Sequence, residues 1–462
     1  MTKKKWAGLI LAIVSIAVTQ FMPGNEVLSA EGIKTVGFLL AFLFMLVLEV
    51  LPVVVTSLIF CALMPLLGVV KGLGAALTGY SQPIVFFTLA SFGIAAALTT
   101  IPLSKRILCA MLRKFGGNIR SVMLAMMAAC ALFSSIVSNV PTCAIFMAIA
   151  LDFIELYENE EDKKRSGRAF MIAIPVASMI GGIMTPAGSS VNLIAISQLE
   201  NITGTTVSFV QWMCAGIPLA IVLVPLAWWL MTLIYKPAEI NMEMVDQFIT
   251  SLNIPPKMDG QEKKVVVIVG LMLALWIASS WVPAINVMIV AILGCCVMFL
   301  PGIDVLELDT FLKENSWDAF FLVGCVLSIS TAMINNGVSA AIAGAIPAFS
   351  ASSAVLIAFT AALIFITLIF IPVATSMVPS MAIPLIALAQ GAGVSPSLIM
   401  MTAAICACNC YLLPLDTVPL ITYAKGYYSM TDMAKSTGYL QIAVILLSAL
   451  WLPVIGKLFG LV

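Results

Sequence analysis

The chain has 462 residues, 62% of them hydrophobic and 10% charged, with 22 basic and 22 acidic side chains, no histidine and a mean hydropathy of +1.14. This excludes a water-soluble globule, and a formal charge of zero excludes the basic footprint of a nucleic-acid binder. The apolar runs are near-continuous rather than short alternating segments, which selects an all-α polytopic membrane protein over an outer-membrane barrel.

Lys3-Lys4-Lys5 and the apolar residues from Trp6 to about Met22 have the charge order of a signal peptide without an A-x-A-like cleavage site. A retained first span with a cytoplasmic N-terminus is expected. Spans follow at 34–52, 54–70 and 82–103, with Glu49 at a turn between the first two of these. The next apolar stretch, 119–157, is about twice the length one span needs. Lys105, Arg106, Arg113, Lys114 and Arg120 precede it and Lys163, Lys164, Arg165 and Arg168 follow it, so both its ends belong in the cytoplasm. Its centre holds Phe133-Ser134-Ser135 and Ser138-Asn139-Val140-Pro141-Thr142, polar and helix-breaking, the expected tip of a re-entrant hairpin. A span at 169–197 is then interrupted by the block from Gly181-Gly182 through Thr185-Pro186-Ala187-Gly188-Ser189 to Asn192. A hydrophilic cytoplasmic linker with Lys236, Lys257, Lys263 and Lys264 closes this half at 237–263.

The second half repeats the order. Spans at 264–282, 284–301 and 318–336 lead to an apolar stretch at 350–392 whose centre is Ser376-Met377-Val378-Pro379-Ser380 and whose flanks carry no basic residue, so this hairpin is expected to enter from outside. A span at 396–424 is interrupted by Leu413-Pro414-Leu415-Asp416-Thr417-Val418-Pro419. The halves, 34–236 and 264–458, have one element order and opposite orientation, the inverted repeat of secondary transporters. Glycine and proline at mid-membrane open a helix, freeing carbonyls for cations and amide ends for anions. About eleven transmembrane helices and two re-entrant hairpins are expected in all. The eleven cysteines lie almost wholly in apolar runs and show no disulfide framework; Cys406, Cys408 and Cys410 are spaced so that their sulfurs point to different helix faces, against a metal site. No catalytic constellation is present, so an enzyme is not expected.

The order of tip, broken span, linker, tip and broken span, with Ser138-Asn139 and a Thr-Pro-x-Gly block ending in Asn192, resembles the divalent anion/sodium symporters over nearly the whole chain, including the run from Ile194 to Trp229 and the region from Tyr427 to Leu440. The resemblance implies an elevator transporter, usually a homodimer in the lipid of the cell's inner (plasma) membrane. Its scaffold would be 1–104 and 264–340, and its transport domain 105–236 and 341–462 around the 237–263 linker. It also implies a small dicarboxylate or related anion as partner and sodium as coupling ion, with no organic cofactor.

Carried over residue by residue, the family's Ser-Asn-Thr tips fall on Ser138-Asn139-Val140 and Ser376-Met377-Val378. The first sodium site falls on Ser134, Ser138, Asn139 and Gly188. In the second, the tip asparagine is Met377, a thioether ill-suited to a hard cation, while Asp416 appears in the second break; Thr375 and Asp416 are the expected cation or proton site. Ser138, Asn139, Thr142, Ser189, Ser376, Ser380 and Thr417 are the expected anion donors. C4-dicarboxylates are the expected cargo, with protons as a second coupling ion through Asp416. Citrate, sulfate, anion exchange and sodium/proton antiport are the alternatives.

Overall fold

The structure is a computed structural model that describes residues 3–48, 50–115, 117–240, 242–282, 284–345, 351–370 and 374–461; Glu49, the 371–373 stretch before the second tip and the Ser376 side chain lie outside the described residues. Among the described residues every regular element is helical and there is no strand. Among the described residues four helices are long and apolar enough to cross a membrane alone: Ala30–Val47, Phe209–Tyr235, Trp317–Asn335 and Met430–Leu458. The spans expected at 54–70 and 284–301 are shorter helices, Val53–Leu66 and Val287–Val297. Proline, glycine and capping asparagine residues trim them below the length of the apolar runs that contain them.

Two expectations change on the basic side of the molecule. The helix Pro83–Thr99 bends by 60° into a further helix beginning at Leu103, so the residues Lys105 to Lys114 are not a loop. That helix is amphipathic, burying Leu108, Cys109 and Leu112 while Arg113 stays exposed. Nor is 237–263 a free tether. It contains the helix Met242–Ser251, whose Phe248 is fully buried with its ring 5.0 Å from that of Phe153. Arg106 clasps the start of the following helix, Gly260–Ala278, with Nε and NH2 each donating to Glu262 at 2.7 Å. Its NH1 donates to Pro255 O at 2.7 Å and its NH2 to Lys257 O at 3.0 Å. This bidentate guanidinium holds the Glu262 carboxyl below the usual carboxylate range.

Each half contributes a helix pair, a broken helix and a long final helix. In the first half these are Ile119–Ser134 with Asn139–Ile154, then Glu160–Gly182 with Ser190–Thr203, then Phe209–Tyr235. In the second they are Ser353–Phe370 with Ala374–Gly391, then Pro396–Cys408 with Thr417–Tyr423, then Met430–Leu458. The halves interlock by exchange. Ser190–Thr203 packs on Ala374–Gly391 and Pro396–Cys408, and Thr417–Tyr423 packs on Asn139–Ile154 and Glu160–Gly182. The two long helices lie together, fastened by Trp451 Nε1 donating to Cys214 O at 3.1 Å and Tyr235 OH donating to Ser436 Oγ at 2.9 Å. The first tip and the two broken helices therefore meet within one buried core rather than opening on separate surfaces.

Candidate functional site

The first tip forms where Ile119–Ser134 stops and Asn139–Ile154 starts from the extended residue Ser138. The amide nitrogen of Asn139 donates to Ser134 Oγ at 2.9 Å and to the carbonyl oxygens of Ser178 and Gly188 at 3.2 Å each. Ser178 Oγ donates to Asn139 O at 2.8 Å and lies 3.2 Å from Ser134 Oγ. All but Gly188 come from helix ends or interiors that an apolar run hides, and Gly188 is brought in by the break. If the amide rotates so that its oxygen points inward, four oxygens face one another, an arrangement that a hard cation stabilises. Only a glycine fits behind this group: a Cβ on Gly182 would lie 2.0 Å from the Asn139 amide.

The first break is held open by its own polar groups. Asn192, fully buried, donates from Nδ2 to Gly182 O at 2.8 Å and Thr185 O at 2.9 Å, satisfying carbonyls that the interruption frees. Thr185 Oγ1 donates to Ser135 O at 2.6 Å and accepts from Gly188 N at 3.0 Å, tying break to tip. Ser189 caps Ser190–Thr203 by accepting from Val191 N at 3.3 Å.

The second break runs from Asn409 to Asp416, beginning earlier than the sequence block around Pro414 suggests. Asp416 caps Thr417–Tyr423, its Oδ1 accepting from Val418 N at 3.1 Å and from Thr417 Oγ1 at 3.3 Å. No basic side chain pairs with it among the described residues, Lys425 included. Asn409 donates from Nδ2 to Ile405 O at 2.7 Å, which leaves its buried Oδ1 without a partner, as is the buried Tyr411 hydroxyl. Two thiols join the halves: Cys408 Sγ donates to Asn192 Oδ1 at 3.2 Å, and Cys143 Sγ to Val418 O at 3.5 Å.

Tips and breaks enclose a cavity of about 330 Å³. Of the anticipated site residues, Ser138, Asn139, Ser189, Thr375, Asp416 and Thr417 line it. Thr142 does not: its hydroxyl is turned back to the turn before its helix, donating to Val137 O at 3.3 Å. Ser380 also lies outside the lining, and Met377 is fully buried behind it. Ser134 and Gly188 belong to the Asn139 cluster rather than to the cavity wall, and Ser138 to the wall rather than the cluster. Sequence reasoning passed over Ser178 and Asn409, and took Gly182 and Thr185 only as parts of the interrupting block. A serine or asparagine inside an otherwise apolar span was the available signal for Ser178 and Asn409. It also passed over Asp318, an exposed residue in the first turn of Trp317–Asn335 that reaches the cavity. Among the described residues the lining thus carries two carboxyl groups and neither lysine nor arginine.

Residues 3–462 match the family profile described as the sodium:sulfate symporter transmembrane region. A high-affinity sodium-dependent dicarboxylate transporter of Caenorhabditis elegans is 24% identical, the match covering 89% of this chain and 81% of that protein. The sodium-dependent dicarboxylate transporter SdcS of Staphylococcus saprophyticus is 26% identical, covering 97% and 92%. Among solved structures, the YdaH transporter of Alcanivorax borkumensis superposes with a TM-score of 0.56 at 13% identity, over 99% of both chains. MtrF of Neisseria gonorrhoeae gives 0.58 at 12%, over 98% of this chain and 95% of that one. At these identities the two structures share the fold alone.

Proposed function

This chain belongs to the sodium:sulfate symporter family, and from that premise we propose that it carries a small dicarboxylate, a C4-dicarboxylate foremost, across the membrane together with sodium. The chain is a multi-pass membrane transporter and not an enzyme. Both relatives named above are sodium-dependent dicarboxylate transporters, which favours that cargo over sulfate.

The Asn139 cluster carries the reading. An amide that faces one hydroxyl and two carbonyls within 3.2 Å occupies the place of a cation, and inverting it supplies the fourth oxygen of a sodium cage. Ser134, Ser178, Asn139 and Gly188 hold the ion, and Ser138 and Ser189 at two helix starts receive the anion. Occupation of the cage repositions Asn139 beside the anion pocket, so ion and anion binding support one another.

Electrostatics makes that support necessary. Like charges about 4 Å apart repel by roughly 4 kcal/mol at an effective dielectric of about 20. A dianion entering a cavity that holds Asp318 and Asp416 and no base is opposed until cations enter with it. Neutral hydroxyl and amide donors then bind the anion loosely enough for release. Asp416, which shares the cavity wall with Thr375, takes the second cation or a proton in place of the amide replaced by Met377.

Movement follows the elevator scheme, with the interlocked tips and breaks sliding against the first four spans and Gly260 to Asn335, in a homodimer with its N-terminus in the cytoplasm. Uptake of labelled succinate into proteoliposomes, with and without a sodium gradient and with excess fumarate, citrate or sulfate, tests the reading. Sodium-driven uptake blocked by C4 competitors is the expected result. Uptake indifferent to sodium, or blocked by sulfate alone, would sink it.

A further inference from the structure

Beside the central cavity is a second niche of about 10 Å³, room for one oxygen atom, where the helix Pro83–Thr99 meets the first tip and first break. Its polar lining is Thr88, Ser91, Ser138 and Ser190. Thr88 has spent its proton, donating to Ile84 O at 2.8 Å. The other three hydroxyls are unspent. Ser91 Oγ is buried with no hydrogen-bond partner. Ser138 starts its helix without a side-chain capping bond. Ser190 makes no hydrogen bond through its hydroxyl among the described residues, because the local cap is supplied by Ser189. A buried hydroxyl without a partner is costly, and that of Ser91, facing one oxygen-sized space with the half-buried Ser138 and Ser190 hydroxyls, calls for an occupant.

The charge of the surroundings selects that occupant. Asn139–Ile154 begins from Ser138 and Ser190–Thr203 from Ser189, so two helix N-termini, each the positive end of a dipole, open toward the niche. They disfavour a cation and favour an oxygen bearing negative charge. Ser138 and Ser190 also line the main cavity, so a carboxylate seated there reaches the niche without leaving its pocket.

Ser91 comes from a different part of the fold. Its helix packs chiefly on Val287–Val297, Leu308–Glu314 and Trp317–Asn335, and touches Asn139–Ile154 and Ser190–Thr203 only lightly. We propose that Ser91 is a specificity-determining residue outside the moving block, whose hydroxyl donates to a carboxylate oxygen of the bound anion in the arrangement seen here. The inference rests on the functional reading above and deepens it. When the block carrying Ser138 and Ser190 slides, the anion leaves Ser91 behind and loses one donor. The affinities on the two membrane faces are therefore unequal.

The test is succinate transport measured separately from each face of oriented proteoliposomes at saturating sodium, for the parent protein, Ser91→Ala and Ser91→Thr. Loss of one hydrogen bond to a charged group raises the half-saturation concentration about tenfold or more on one face only. The maximal rate and the sodium activation curve stay unchanged, and Ser91→Thr restores the parent value. An equal shift on both faces, or none on either, overturns the inference while leaving the sodium-coupled reading in place. No sodium-driven uptake by the parent protein overturns the reading and this inference together. If Ser91→Ala fails to fold, as shown by loss of its sodium-dependent melting shift, Ser91→Cys keeps the volume with a weaker donor and bears the same one-face expectation.

Discussion

The amide nitrogen of Asn139 lies 3.2 Å from the carbonyl oxygen of Gly188, although one residue starts a helix at the first tip and the other sits in the break of the following helix. The tip and the break are thus a single polar unit, and any change in one is transmitted to the other through a group able to present either its nitrogen or its oxygen. Asn139→Ala leaves the Ser178 and Gly188 carbonyls without this donor, a loss of about 1–3 kcal/mol. Parent protein titrated with sodium gains thermal stability by mass action; the variant's melting temperature is expected to stay flat over the same range. A sodium-dependent rise of equal size in both proteins would place the ion elsewhere.

Gly182 supports that unit from behind. In Gly182→Ala a Cβ meets the Asn139 amide at 2.0 Å, and Asn139 cannot retreat without leaving Ser134 and Ser178. Overpacking of this kind costs about 1–3 kcal/mol. Sodium-driven uptake is expected to fall more steeply than stability. Normal uptake by this variant would show that the amide is not held as described.

Asp416 has two separable roles. Asparagine caps a helix as well as aspartate does, whereas alanine costs about 1 kcal/mol at that position. Asp416→Asn is therefore expected to melt like the parent and Asp416→Ala below it, while both alter how uptake depends on sodium and on pH. Unchanged uptake under sodium and proton gradients in Asp416→Asn would reduce the residue to a cap.

Asp318, an exposed carboxylate in the cavity lining, is expected to repel an anionic cargo rather than bind it. Asp318→Asn is expected to lower the half-saturation concentration for succinate, more at low ionic strength than high, because an exposed charge is screened by salt. A half-saturation value unaffected by both the substitution and salt would remove Asp318 from the anion's path.

The Arg106–Glu262 clasp gives a pH dependence away from the transport site. The Glu262 carboxyl titrates below its ordinary value, chiefly through the guanidinium bonds, so the unfolded chain binds this proton more tightly than the folded one. Its contribution is complete above the ordinary glutamate value of about 4.3 and is lost as pH falls through the depressed one. Melting temperature measured from pH 7 down to about 3 should therefore show a step near the acid end that Glu262→Gln lacks. The same step in both proteins would assign it to other carboxyl groups.

The family resemblance pointed to Ser134, Ser138, Asn139, Gly188, Thr375 and Asp416; composition and pattern alone determined that the chain is helical and membrane-embedded and that its two halves repeat one element order. These are local properties: hydrophobic runs, basic flanks and helix-breaking residues are visible in sequence because each acts on its own segment. Helix ends were less legible. The amphipathic helix beginning at Leu103 was hidden because its lysines and arginines looked like a loop flank, and the 237–263 segment because its hydrophilic residues conceal the buried Phe248. What only the tertiary structure decided is how polar groups from separate segments find one another. Ser178 and Asn192 look like isolated polar residues in apolar spans until packing brings them to Asn139 and the Gly182 carbonyl. Thr142, promising by its place after the tip, is turned away by helix geometry, while Asp318 and Ser91 reach the site from helices with no motif. A hydrogen bond is set by distance and direction in space, and residues far apart along the chain acquire both only when the helices close around the breaks.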